Sequence, residues 1–98
     1  MLYAVLFTDD PDRADARQRL MQAHLAFLEQ HRSAIRAAGP LRDTADGSAA
    51  GGLWVVEAAS AAEVGALVHA DPFWPAGLRA AVRILVWSQV FAGGRRLI

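Results

Sequence analysis

The order of strand-like and helix-like segments constrains the fold of this chain more than any other feature of its sequence. Four segments are predominantly apolar over short runs, as strands are: 2–8, 35–38, 53–57 and 81–91. Two segments have the apolar period of a helix: 13–32 and 60–70. The order β-α-β-β-α-β predicts one α+β domain over residues 1–98, with a four-stranded antiparallel sheet and both helices on one face.

Turn and cap signals separate these segments. Residues 9–12 (Asp-Asp-Pro-Asp) have a composition typical of a turn, which predicts the end of the first strand. Ser60 and Glu63 have the spacing of a capping box at the start of the second helix. That helix must stop before the Asp-Pro pair at 71–72, because the residue before a proline is disfavoured in helical conformation. Residues 42–52, rich in glycine and aspartate, are predicted to form a loop.

One polar residue lies on the apolar face of the first predicted helix. At 100° per residue, the large apolar side chains from Leu20 to Leu28 fall within an arc of about 160°, and His24 lies inside that arc. Arg17 and His31 lie on the same side of the helix. Asp71, in the turn after the second helix, is a carboxylate that can meet His24 in the fold. A carboxylate that holds one imidazole nitrogen leaves the other free to exchange a proton.

The last predicted strand is apolar on both of its faces. Val82, Ile84 and Val86 alternate with Leu85 and Trp87, so both faces of the sheet are expected to be buried here. The helices can cover only one face. The bare face and the hydrophobic share of 54% predict a second subunit as its cover, and therefore a homodimer. The tail after this strand, residues 93–96, is predicted to be frayed.

Composition excludes several classes of function. Ten basic and ten acidic residues give a formal net charge of zero, whereas a nucleic-acid-binding surface needs a basic excess. The chain has no cysteine, which excludes disulfides and thiolate chemistry. His24 and His31 lie two helical turns apart, too far to share an ion, so no metal site is predicted. The first residues resemble neither a signal nor a membrane segment, which predicts a soluble, cytoplasmic protein.

Five short segments, in order along residues 1–91, form a recognisable pattern. They are Met1-Leu2-Tyr3-Ala4-Val5, Ala23-His24-Leu25, Ala38-Gly39-Pro40-Leu41, Asp71-Pro72-Phe73, and Trp87 with Gln89-Val90-Phe91. Each segment alone is common, but five of them in this order and at these spacings are specific. With these segments, the chain resembles the YciI-like protein family over nearly its whole length.

This resemblance implies a ferredoxin-like fold of the dimeric α/β-barrel kind, in which two sheets pack face to face. It also implies a histidine–aspartate pair as the active site, at positions that correspond to His24 and Asp71, and chemistry without a cofactor. One relative removes chloride from a chlorinated hydroquinone, and related barrels isomerise lactones or oxidise small aromatics. Met21 stands where the family commonly has an arginine, which removes one anchor for an anion and puts an acidic substrate in doubt.

We therefore predict a small cofactor-free enzyme in which His24 is the general acid or base and Asp71 orients it. The reaction is expected to be an elimination, isomerisation or hydrolysis of a small molecule such as an aromatic one. The alternative is a non-catalytic dimeric protein that binds a small ligand or docks on a larger enzyme. In that case the two residues form only a structural hydrogen bond. A third possibility is a monooxygenase-like protein that oxidises electron-rich rings without a cofactor.

Three further residues are candidates for substrate binding. Arg17 is suited to bind a carboxylate or phenolate, with a salt bridge to an acid such as Asp15 or Asp71 as the alternative. Phe73 and Trp54 are suited to wall an apolar pocket for a ring-shaped ligand, with plain core packing as the alternative.

Overall fold

The computed structural model describes all 98 residues and has a four-stranded antiparallel sheet as its centre. Its elements are β1 (Leu2–Asp9), α1 (Ala14–Arg19), α2 (Met21–Gln30), β2 (Ile35–Arg42), β3 (Ala49–Glu57), α3 (Ala61–Ala70) and β4 (Arg79–Val86). A 3-10 turn (Pro11–Arg13) precedes α1, and a hairpin of β5 (Phe91–Ala92) and β6 (Arg95–Arg96) follows β4. The sheet order β2-β3-β1-β4 confirms the predicted α+β, ferredoxin-like fold. None of the helices has the length and hydrophobicity that crossing a lipid bilayer requires.

The two faces of the sheet differ in burial because side chains alternate along each strand. One face packs against α2 and α3 and forms the main core, which consists of Tyr3, Val5, Phe7, Phe27, Ile35, Trp54, Val56, Val64 and Val68. On the opposite face Ala4 lies between Val55 of β3 and Leu85 of β4. All three are at least partly exposed, and Leu85 keeps 38% of its accessible surface. The sheet therefore has one packed face and one incompletely covered apolar face, as the sequence predicted.

The first predicted helix, over 13–32, is divided in the structure. Leu20 has φ −106° and ψ 9°, which ends α1 and precedes α2. Hydrogen bonds continue across the break, because the Leu20 amide donates to the Ala16 carbonyl and the His24 amide donates to the Leu20 carbonyl, both at 2.9 Å. The side chain of Leu20 packs against a small cluster of Ala16, Phe73 and Leu78. The division therefore interrupts the helical conformation at Leu20 while the backbone hydrogen bonds continue.

The second and third strands are longer than predicted. β2 extends beyond 35–38 to Arg42 and includes Pro40, which is tolerated because β2 lies at the edge of the sheet. β3 begins at Ala49, inside the segment predicted as a loop over 42–52. Gly51 makes this possible, since a Cβ at this position would lie 1.8 Å from the Phe7 carbonyl oxygen. Only a glycine allows β3 to approach β1 this closely.

The C-terminal segment differs most from its prediction. β4 ends at Val86 rather than continuing to residue 91, and the tail predicted as frayed forms the β5–β6 hairpin. Gly93 and Gly94 have φ values of +60° and +73°. Positive φ at both central residues is the requirement of a type I′ hairpin turn, so the Gly-Gly pair explains why the chain reverses here.

A bulge at the end of β1 sets the direction of one buried side chain. Thr8 lies opposite Ala81 and Asp9 lies opposite Arg79, so Ala80 is an extra residue on β4. Ala80 is exposed, whereas Arg79 is buried. The bulge therefore turns Arg79 towards the helix-covered face, next to Asp9.

Candidate functional site

His24 and Asp71 meet in the interior, where the structure brings together the two residues singled out in the sequence. Nδ1 of His24 lies 2.8 Å from Oδ1 of Asp71, and the two residues are 6% and 2% exposed. Asp71 follows α3 directly, and its backbone amide donates to the Leu67 carbonyl. The same Oδ1 accepts the Phe73 amide at 3.2 Å. Because a carboxylate only accepts, Nδ1 carries the proton and Nε2 of His24 is the free basic nitrogen.

Phe73 supports the imidazole ring from behind. The rings of His24 and Phe73 are stacked, with centroids 4.1 Å apart and planes 18° apart. Phe73 is completely buried, and it does not line the cavity at His24. Its ring packs flat against the imidazole and so holds the plane of His24. The orientation of the imidazole is thus set by a hydrogen bond at Nδ1 and by a flat contact on its face.

Arg17 belongs to a second polar cluster, with Asp9 and Arg79. Nη2 of Arg17 lies 2.5 Å from Oδ2 of Asp9, and Nη1 of Arg79 lies 3.0 Å from Oδ1 of the same carboxylate. Arg17 therefore has a salt bridge, as one predicted alternative required, but to Asp9 rather than to Asp15 or Asp71. The reason is topological, since Asp9 ends β1 on the helix-covered side, within reach of α1. One carboxylate thus bridges two guanidinium groups.

Arg79 is an unusually buried arginine. Its side chain is 3% exposed, and its Nε has no hydrogen-bond partner. The guanidinium lies 4.1 Å from the ring centroid of Phe7 and 5.2 Å from that of Phe73. Burial lowers the pKa of Arg79, and the hydrogen bond and charge of Asp9 oppose this effect. The aromatic faces and one carboxylate oxygen therefore replace the water that a guanidinium usually contacts.

A cavity of about 90 Å³ connects the two clusters. Arg17, His24, Trp54 and Arg79 contribute to its lining, together with residues of α2 and β2. Trp54 lines this cavity, although the residue is only 1% exposed and packs edge-on against Phe7. Arg17 also lines two larger cavities, of about 340 and 400 Å³, near the start of β3. The space at His24 is large enough for a few waters, and Arg17 lines both this cavity and the two larger ones.

The other two histidines lie outside this site. His31 follows α2 and its ring lies against Phe27, with centroids 4.6 Å apart. His69 is exposed in the last turn of α3 and contacts Trp74. No three His, Asp or Glu side chains come close enough together to hold a metal ion. His24 is therefore the one histidine with both a buried carboxylate partner and a cavity.

Sequence reasoning missed Asp9 and Arg79. Asp9 was interpreted as part of a turn, but it is the neighbouring Asp10 whose carboxylate accepts the Asp12 amide, at 2.9 Å. The strand alternation was the available signal, because the odd-numbered side chains of β1 up to Phe7 are buried and Asp9 is the next odd-numbered residue. Arg79 gave no such signal, because the extra residue at the bulge changes which face of the sheet its side chain points to.

Comparison with known proteins places the chain in a family. The model of the YCII-related domain matches residues 1–88. Among solved structures, the chain is similar to TftG, a 5-chloro-2-hydroxyhydroquinone dehydrochlorinase from Burkholderia phenoliruptrix AC1100, in complex with 2,5-dihydroxybenzoquinone. The two are 34% identical, with a TM-score of 0.79 over 90% of this chain and 94% of that chain. No curated protein sequence matches the chain significantly. Both the matching domain model and this structural relative show that the chain belongs to the YCII-related, or YciI-like, protein family, as its sequence predicted.

Proposed function

We propose that the protein is a small enzyme in which Nε2 of His24 exchanges protons with a hydroxylated ring, while Asp71 orients the imidazole. The observation that carries this proposal is the buried 2.8 Å contact between Nδ1 and Oδ1, beside a cavity that His24 itself lines. The similarity to a dehydrochlorinase that acts on a hydroquinone supports a small-molecule reaction. We include chlorinated hydroxyhydroquinones in the proposed substrate class on this ground.

Elimination of hydrogen chloride from such a ring takes place in two steps. First, one hydroxyl proton is removed and a proton is added to the carbon that bears chlorine, which gives a ketone. Second, another hydroxyl proton is removed and chloride leaves with the electron pair of the carbon–chlorine bond. The products are a hydroxyquinone, chloride and a proton. A single group that can act as both base and acid serves both steps, and an imidazole is such a group.

Chloride release under anaerobic conditions tests the proposed function. We expect the protein to release one chloride per molecule of 5-chloro-2-hydroxyhydroquinone, measured with a chloride electrode and by the absorbance of the quinone. The absence of oxygen suppresses autoxidation of the ring and also excludes a monooxygenase reaction. Release no faster than in protein-free buffer would contradict the proposal and favour the non-catalytic ligand-binding alternative.

We also propose that the partly exposed face of the sheet is covered by a second copy of the chain, in the dimeric α/β-barrel arrangement. Leu6, Val55 and Leu85 make this face apolar at its centre. We expect a dimer at micromolar concentration in sedimentation velocity, and a monomer for Leu85→Asp, because the aspartate would be buried without a partner. Ala62→Asp, on the exposed first turn of α3, is the control and should remain dimeric. A monomeric native protein would refute the dimer.

A further inference from the structure

We propose that Arg79 and Arg17 form a binding site for an anionic oxygen of the substrate, and that Asp9 occupies this site in the absence of ligand. The inference rests on the proposed function for the identity of the substrate, a compound with an acidic hydroxyl such as a phenol or enol. It adds two residues, Arg79 and Asp9, for which the sequence indicated no role.

The first argument is the unused hydrogen-bonding capacity of Arg79. Of its three guanidinium nitrogens, only Nη1 has a protein acceptor, Oδ1 of Asp9. Nε is buried without a partner, and it is the only buried side-chain nitrogen or oxygen in the protein in that condition. Buried charged donors without acceptors are costly, and native proteins retain few of them. A donor left free on a residue that lines the His24 cavity indicates a missing acceptor.

The second argument is the distribution of charge around the cavity. Asp9 offers one negative charge to two arginines, one oxygen to each, so this cluster has an excess of one positive charge. The His24–Asp71 pair has one negative charge while the imidazole is neutral. When His24 takes a proton from a substrate hydroxyl, its pair becomes neutral, and the new oxyanion matches the excess charge of the arginines. The site therefore favours a substrate that enters neutral and ionises inside.

The third argument is proximity. The imidazole of His24 stacks on Phe73, and the guanidinium carbons of Arg17 and Arg79 lie 5.5 and 5.2 Å from the centroid of the same ring. His24 and the two arginines therefore lie around the ring of Phe73, and all three line the same cavity. Met21 of α2 lines this cavity without contributing a charge, and Arg79 supplies a cation to it from β4.

Binding of a charged and an uncharged ligand of similar size tests the inference. The probes are 2,5-dihydroxybenzoquinone, which is anionic at neutral pH, and hydroquinone, which is neutral, both measured by calorimetry. We expect Arg79→Gln and Arg17→Gln each to weaken binding of the anion by about 10-fold to 100-fold, as for a lost hydrogen bond to a charged group. Binding of hydroquinone should change by less than about threefold, because it makes no charged contact.

Asp9→Asn should have the opposite effect and tighten binding of the anion by about threefold to tenfold, because it removes the competing negative charge. A purely structural role for Asp9 predicts weaker binding instead. If Arg79→Gln does not fold, Arg17→Gln and Asp9→Asn, at less buried side chains, still decide the matter. Unchanged anion binding in Arg17→Gln, or weaker anion binding in Asp9→Asn, would overturn the inference.

The two proposals fail in different ways. His24→Gln should retain arginine-dependent binding of the anion even if it has no turnover. Native protein that binds the anion in this manner but releases no chloride would refute the proposed function and support the anion site. Normal chloride release, with a KM that Arg17→Gln and Asp9→Asn leave unchanged, would refute the anion site alone.

Discussion

Replacement of His24 by glutamine is expected to lower kcat for chloride release by about 10²-fold to 10⁴-fold, the usual contribution of a general acid–base group. The glutamine amide can still donate to Asp71, so the buried carboxylate keeps a partner, but it has no basic nitrogen at the position of Nε2. The measurement is kcat under anaerobic conditions, together with thermal unfolding of the same preparation.

His69→Gln is the matched control, because His69 is exposed on α3 and lies outside the cavity. It should keep the native kcat. A structural role for His24 predicts another pattern, in which His24→Gln loses about 1–3 kcal/mol of stability and the remaining folded protein turns over normally. Near-native kcat in folded His24→Gln would therefore remove His24 from the mechanism.

Replacement of Gly51 by alanine is expected to prevent folding or to lower the free energy of unfolding by more than about 4 kcal/mol, a size that indicates a specific structural conflict. Gly51 has φ +88°, and its Cβ would lie 1.8 Å from the carbonyl oxygen of Phe7 and 2.9 Å from the carbonyl carbon. Both atoms are backbone, so no side-chain rotation can relieve the clash. β1 and β3 would have to separate at this point, which urea denaturation followed by circular dichroism would detect.

Gly47→Ala separates the cost of a left-handed backbone from the cost of the clash with Phe7. Gly47 also has a positive φ, +74°, but nothing lies within 4 Å of its Cβ position. It should lose only the cost of a left-handed alanine, about 1–2 kcal/mol. Equal losses for the two variants would show that the close approach of β3 to Phe7 contributes nothing. The contact matters to the site because the Phe7 ring lies under the guanidinium of Arg79.

The sequence predicted those features that follow from periodicity. β1 and α3 were located to within about one residue, because strand alternation and the Ser60 cap are local signals. The Glu63 amide donates to Ser60 Oγ at 3.3 Å, as the capping box predicted. The helical period also identified His24 as an inward residue. The sequence also offered Asp71 as a possible partner, but the family resemblance was needed to assign the two as a pair, since they lie 47 positions apart.

The remaining features depend on how strands meet, which one-dimensional patterns do not record. Arg79 is buried because a bulge adds Ala80 to β4, and a bulge is a property of two paired strands. Asp9 was assigned to the turn because its neighbours are turn residues, although its own side chain continues the buried side of β1. Asp9 and Arg79 are therefore cross-strand partners beside this bulge, which is why the sequence indicated neither of them.

The hydrogen bond between His24 and Asp71 has a consequence for how the molecule can be divided. His24 lies in the first βαβ unit, which ends with β2, and Asp71 lies in the second, which begins with β3. Neither unit contains both residues. Local opening that releases either unit separates the pair, so the proposed proton transfer requires the closed molecule. A hybrid assembled from the halves of two relatives would likewise need a compatible histidine and aspartate from different parents.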